Sequence, residues 1–145
     1  MVKIWLKRIG LVILLLAMIV FFGRWLLDLF GVIKYEPPMS QDRDQIVCVE
    51  LLDSSGVEFI VIKTIENEEL AVFLEDFFLI EAGRYANDPS TRYGDYAIKI
   101  YYVDGGYDIL GEIVDFYSSD GERLPVGGLY YIPKDEMQVI IDKYV

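Results

Sequence analysis

The feature that most constrains this chain is an uncharged run near its start, Ile9–Phe22 (IGLVILLLAMIVFF), in which Gly10 alone is not apolar. It decides where the rest of the chain lives. As a helix the run covers roughly 21 Å at 1.5 Å per residue, short of the ~30 Å hydrocarbon core of a bilayer, and it also suits the h-region of a cleaved signal peptide. Two observations favour an uncleaved anchor. Apolar character resumes at Trp25, Leu26, Leu27, Leu29, Phe30, Val32 and Ile33, interrupted by Arg24 and Asp28. Those two lie four apart on one helix face and can pair, and Arg24 can extend its head toward water, so that about Ile9–Leu29 matches a bilayer. Second, Gly23 and Gly31 are preceded two positions earlier by Phe21 and Leu29, so neither completes the small-x-small pair of a cleavage site.

Lys3, Lys7 and Arg8 precede the run, which predicts a cytoplasmic start and an exported remainder. Trp5 and Trp25 stand at its two ends, as interfacial aromatics do. The glycines are too far apart for a G-x-x-x-G helix-pairing motif. Residues 1–34 hold five Lys/Arg and one acid, net +4, against eight and 23 in residues 35–145, net −15. The exported part is therefore acidic, repelled by nucleic acid and by anionic head groups. Its charge serves solubility, or else the binding of cations or a basic partner.

Histidine is absent, which excludes Ser-His-Asp and Cys-His catalysis and His-based metal sites. Cys48 is the single cysteine, so no intramolecular disulfide forms. Its I-V-C-V setting reads as a buried strand position.

Three divisions follow: a cytoplasmic start and anchor at 1–33, a linker at 34–45 stiffened by Pro37-Pro38, and a domain at 46–145. In the domain, Ile46–Leu52 and Val57–Ile65 read as strands around the turn Asp53-Ser54-Ser55-Gly56, an antiparallel hairpin. Over Asn67–Ile80 the period changes. Leu70, Phe73, Leu74 and Phe77 make a helical stripe, Glu66, Glu68 and Glu69 crowd its positive end, Asn67 is placed to cap it, and Gly83 suits its exit. Arg84–Asp95 is the longest connection. It mixes Tyr85, Asn87, Asp88, Arg92 and Tyr93, the composition of a binding loop, and those five are the candidate interaction residues. Tyr96–Val103 alternates, Asp104-Gly105-Gly106 turns, and Tyr107–Tyr117 reads as one further strand, central or strongly twisted because both of its faces are apolar. Glu122–Ile132 is a last extended stretch, with Gly127-Gly128 marking a bulge or a close approach. Pro133 opens a closing helix with Met137, Ile140, Ile141 and Tyr144 on its apolar stripe. The order β-β-α-β-β-β-α predicts an α+β domain: an antiparallel sheet of about five strands with two helices on one face.

No phosphate-binding glycine loop, G-x-S-x-G or calcium loop is present. No catalytic, metal or cofactor residues are assigned. A carboxylate pair of glycosidase type cannot be picked out among 23 acids. Tyrosine is abundant, and the pairs Tyr101-Tyr102 and Tyr130-Tyr131 place one ring on each sheet face, one inward and one free for sugars or extended peptides.

The opening hairpin, the Glu-rich helix start, Asn87-Asp88-Pro89 before a Tyr-rich strand, and Gly128-Leu129-Tyr130-Tyr131-Ile132 before an acidic terminal helix resemble a family of uncharacterised small domains of Gram-positive bacteria, secreted or held at the cell surface. The resemblance spans roughly Ile46–Val145. It implies the architecture and an exported location, and carries no functional residues. The expectation is a single-pass membrane protein displaying a non-enzymatic binding domain for a protein or cell-envelope partner, without cofactor or nucleic acid. The alternatives are an accessory subunit acting through its transmembrane helix and, third, a carboxylate-based hydrolase.

Overall fold

The computed structural model describes residues 2–30, 32–85, 92–126 and 129–145. The apolar run forms part of helix α1 (Val2–Leu29). Its segment Lys7–Leu29, 23 residues, is long and apolar enough to cross a membrane, and none of the window is buried.

The remainder is α+β. Strands β1 (Ile46–Asp53), β2 (Ile60–Ile65), β4 (Tyr96–Tyr102), β5 (Tyr107–Leu110), β6 (Val114–Tyr117) and β7 (Arg123–Leu124) make one antiparallel sheet in the order β2-β1-β4-β5-β6-β7. A two-residue ribbon pairs β3 (Gly83–Arg84) with β8 (Tyr130–Tyr131). Alternation along β1 and β4, held in register by Val49↔Ile100 and Leu51↔Ile98, sends Val49, Leu51, Ile98 and Ile100 to one face. Helix α2 (Asn67–Phe77) and helix α3 (Lys134–Tyr144) cover that face. The stripe read from sequence is the one buried: Phe73 and Phe77 are fully enclosed, Leu70 and Leu74 partly, and Met137, Ile140 and Ile141 join them from α3. Each enclosed phenylalanine contributes ~1.5–3 kcal/mol of burial. At the helix–helix seam Phe73 meets Tyr144 edge-on at 5.1 Å, and Lys143 pairs with Asp76 at 2.7 Å.

The strand count exceeds the expected five, for reasons with names. Tyr107–Tyr117 is two strands, because the chain reverses at Gly111. A Cβ on Gly111 would lie 2.3 Å from the Tyr93 carbonyl oxygen, so only glycine admits that approach. Both faces of the stretch read as apolar because both are packed: Leu110, Val114 and Phe116 join the core under the helices, while Ile109, Tyr107 and Tyr117 belong to a small apolar cluster on the opposite face. Gly83 does not simply end α2. It pairs in the ribbon, with the Tyr131 ring lying where a Cβ would stand. Glu66, with extended backbone, is the residue before α2, and Asn67 opens the helix at φ 57° without capping it. Strand β2 starts at Ile60 rather than Val57, because the Asp53 carboxylate accepts the Ser55 amide (2.9 Å) and hydroxyl (2.6 Å) and lengthens the turn. Gly127 and Gly128, read as a bulge or a close approach, lie outside the described residues.

Residues 34–45 are strapped to the domain along their length. Tyr35 and Ala82 exchange backbone hydrogen bonds of 2.8 and 2.7 Å. Pro37 is buried, and Tyr35 and Met39 pack on the core. The Arg43 guanidinium sits 3.4 Å over the Phe78 ring. At the centre of the strap Ser40 donates its amide (2.8 Å) and hydroxyl (2.5 Å) to Asp108, which is fully buried and also accepts the Tyr102 hydroxyl at 2.5 Å. Burial raises the Asp108 pKa against the lowering effect of those donors.

Candidate functional site

The sheet face away from the helices carries the side chains that alternation turns outward: Glu50 on β1, Lys99 and Tyr101 on β4, Tyr107 on β5, Asp115 and Tyr117 on β6 and Arg123 on β7. Leu52, Ala97 and Ile109 form a small apolar floor there, against which Tyr93, Tyr107 and Tyr117 pack. Tyr107 and Tyr117 stack at 4.7 Å, and Tyr101 lies 6.1 Å from Tyr107. The Lys99 ammonium stands 4.6 Å over the Tyr101 ring and 4.4 Å over the Tyr107 ring. The result is a half-exposed aromatic platform with a cation fixed upon it.

Two phenols are tied down by acids. Tyr101 donates to Glu50 at 2.8 Å and Tyr93 to Asp115 at 2.5 Å. Burial first and the accepting carboxylate second raise both phenol pKa values far above the ordinary tyrosine range. These groups stay protonated at neutral pH and act as donors to the two carboxylates. Asp115 Oδ1 faces the Arg123 guanidinium in an ion pair without an aligned hydrogen bond.

Tyr93 links the platform to an open groove of about 640 Å³ between the β1–β2 turn and the segment entering β4. Ser54, Val57 and Phe59 line it from the first segment, Arg92, Tyr93 and Asp95 from the second, and Glu112 lines it as well. The walls are stitched together. The Ser54 hydroxyl donates to the Gly94 carbonyl (2.9 Å), the Ser54 amide to the Asp95 carbonyl (2.9 Å), and Phe59 meets Tyr93 edge-on at 5.3 Å.

Of the five loop residues singled out from sequence, Arg92 and Tyr93 meet in this groove. Tyr85 does not line it. Its ring packs on Tyr131 at 4.3 Å and its amide donates to the Leu129 carbonyl at 2.6 Å. Asn87 and Asp88 lie outside the described residues. Lys3, Lys7 and Arg8 fall in the first two turns of α1. Among the described residues no ion pair joins Arg24 to Asp28. Asp28 accepts the Tyr35 hydroxyl at 2.6 Å and pairs with Arg84 at 3.7 Å, because the strap brings both partners back to the helix end.

Sequence reasoning missed Glu50, Lys99, Tyr107, Asp115 and Tyr117 as neighbours. Alternation within Tyr96–Val103 does put Lys99 and Tyr101 on one face, with Tyr102 buried on the other. Adding Tyr107 and Tyr117 needed the strand break at Gly111. Among the described residues no group of three or more His, Cys, Asp or Glu side chains is disposed to hold a metal ion. No family model, curated protein or solved structure matches this chain.

Proposed function

We propose that this chain is a single-pass membrane protein with a cytoplasmic N-terminus, displaying an acidic, non-enzymatic binding module on the outer side. The carrying observation is the union of an unburied 23-residue apolar helix with a folded domain whose outer sheet face presents a tyrosine platform and groove. At 1.5 Å per residue that helix reaches about 34 Å, enough for a bilayer. The +4 charge of residues 1–34 orients it, and the −15 charge of the remainder keeps the module off anionic lipid. Stacked, hydrogen-bonded tyrosines bring contact area at low entropic cost, which suits an extended protein segment or an envelope glycan laid across the sheet.

Topology and binding are tested together. A cysteine placed in the exposed turn by Ser119→Cys, in a Cys48→Ser background, reacts with a membrane-impermeant maleimide on intact cells. A photo-crosslinking residue at position 107 gives an adduct that one at Val139, on the exposed side of α3, does not. Labelling only after permeabilisation, or equal adducts from both positions, refutes the reading. If an unrelated apolar helix ending before Asp28 abolishes function while the adduct persists, the accessory-subunit reading replaces it.

A further inference from the structure

Strand β2 forms one end of the six-stranded sheet, and its outer edge has no partner among the described residues. Edges are normally short, charged, proline-bearing or covered. This one has six residues, no proline and exposed aliphatic side chains; its one charged residue is Lys63 and a bulge falls at Ile62. Ile60, Val61 and Ile62 are 64%, 49% and 36% exposed, and the chain leading in exposes Val57 and Phe59 as well. No proline occurs from Val57 to Ile65. The one cation in that stretch, Lys63, is turned to Glu69 of α2 at 2.6 Å instead of guarding the edge. The β1–β2 register slips at Ile62, where Leu51 faces Lys63 and Leu52 faces Val61, leaving Ile62 as the unpaired extra residue.

Acids outnumber cations around this apolar edge, where Lys63 lies in the strand itself and Arg92 lines the same groove as Val57 and Phe59. Exposed Glu58 precedes β2, exposed Glu66 and Glu68 follow it, and Lys63 within the strand is paired with Glu69. We propose that β2 is an acceptor edge for strand addition, taking an extended partner segment with alternating aliphatic side chains and Lys or Arg at its ends. Main-chain hydrogen bonds would supply affinity, the exposed isoleucines and valine would grip alternate side chains, and the flanking glutamates would select a basic partner. A second copy of this chain is the wrong occupant. Antiparallel pairing centred on Ile62 sets Glu58 of one chain opposite Glu66 of the other, and joins two modules of charge −15 each. The inference rests on the reading of the domain as a binding module, but not on the tyrosine platform.

The test uses the full chain in nanodiscs and a labelled synthetic peptide of alternating valine and threonine with two lysines at each end. Fluorescence anisotropy reports saturable binding, and amide exchange slows at residues 60–64. Methylating alternate backbone nitrogens of the peptide, which leaves charge and side chains intact, weakens binding at least about tenfold. So does replacing its lysines by glutamate, and so does the Ile60→Lys/Val61→Lys variant, whose circular dichroism matches the parent. The proposal is overturned by absence of binding, by equal affinity for the methylated peptide or for the variant, or by a dimer of the chain cross-linked through β2. If the peptide fails while the position-107 adduct persists, the edge falls and the module stands.

Discussion

Asp108→Ala is the most informative single change, because one buried carboxylate closes the strap over the domain. Three donors converge on it: the Ser40 amide, the Ser40 hydroxyl and the Tyr102 hydroxyl. Ser40 is only half-buried, so water replaces much of what it loses, at ~0.5–1 kcal/mol for each donor. Tyr102 is 2% exposed, and its hydroxyl is left without an acceptor, at ~1–3 kcal/mol. Removing a desolvated charge returns part of that. The net is about 2–4 kcal/mol, a fall of roughly 10–25 °C in Tm for a domain of this size. The measurement is urea unfolding of the full chain in micelles, followed by near-ultraviolet circular dichroism. The double variant Asp108→Ala/Tyr102→Phe separates causes, since it removes the orphaned hydroxyl and should recover at least ~1 kcal/mol over Asp108→Ala. An Asp108→Ala protein as stable as the parent, or a double variant no better than the single, refutes the reasoning.

The same carboxylate predicts a pH effect of definite sign. Because burial raises the Asp108 pKa in the folded chain, its contribution is full at acid pH and declines as pH rises from the unfolded value, ~3.9, through the raised folded one. Asp108→Asn therefore costs more relative to the parent at about pH 4 than at about pH 7, and a penalty that grows toward neutrality contradicts this. Gly111→Ala drives a methyl against the Tyr93 carbonyl oxygen, backbone that cannot swing aside, and costs ~1–3 kcal/mol or more while moving Tyr93 in the groove; unchanged stability and unchanged Tyr93 shifts would rule it out. Asp28→Ala frees Tyr35 and Arg84 from the helix end, which changes domain stability by less than ~1 kcal/mol but broadens spin-label distances between α1 and the sheet. Distances as narrow as the parent's would show that the strap alone fixes the joint.

What sequence revealed and what it hid divide along the range of the interaction. Helices α2 and α3 were legible because Phe73 and Phe77, or Met137, Ile140 and Ile141, repeat at a period set by their own backbone. The inward Tyr102 and outward Tyr101 followed from strand alternation. The turn at Gly111 was hidden because what demands glycine there is the carbonyl of Tyr93, remote in the chain. The strap was hidden for a like reason: a polar segment with two prolines reads as a tether until Asp108 supplies the acceptor that pins Ser40. Val57–Ile65 read as an ordinary hairpin strand; only the sheet order reveals that it ends the sheet with its aliphatic side chains in water. The platform lay between these cases, visible strand by strand and assembled only by register.

The tyrosine content and the acid excess have one physical account. The chain sets 24 Asp and Glu against 13 Lys and Arg and has no histidine, so its carboxylates outnumber its cations. A carboxylate drawn toward the interior needs donors, and a cation is not the only source. Here the phenol supplies them. Tyr35 donates to Asp28, Tyr93 to Asp115, Tyr101 to Glu50, Tyr102 to Asp108 and Tyr144 to Asp76. The two acids buried among the described residues, Asp108 and Asp115, are among them. The phenol also brings a ring that packs against the sheet or a helix, so one residue satisfies the acid and fills the space beside it. Since each of these phenols is pushed up in pKa, the donors persist across the physiological range. Asp28, Asp76 and Asp115 have a cation beside the phenol, in Arg84, Lys143 and Arg123, whereas among the described residues Glu50 and Asp108 are held by neutral donors without an ion pair. Lys99, by contrast, is a cation held over two rings of the sheet face away from the helices, 4.6 Å from Tyr101 and 4.4 Å from Tyr107.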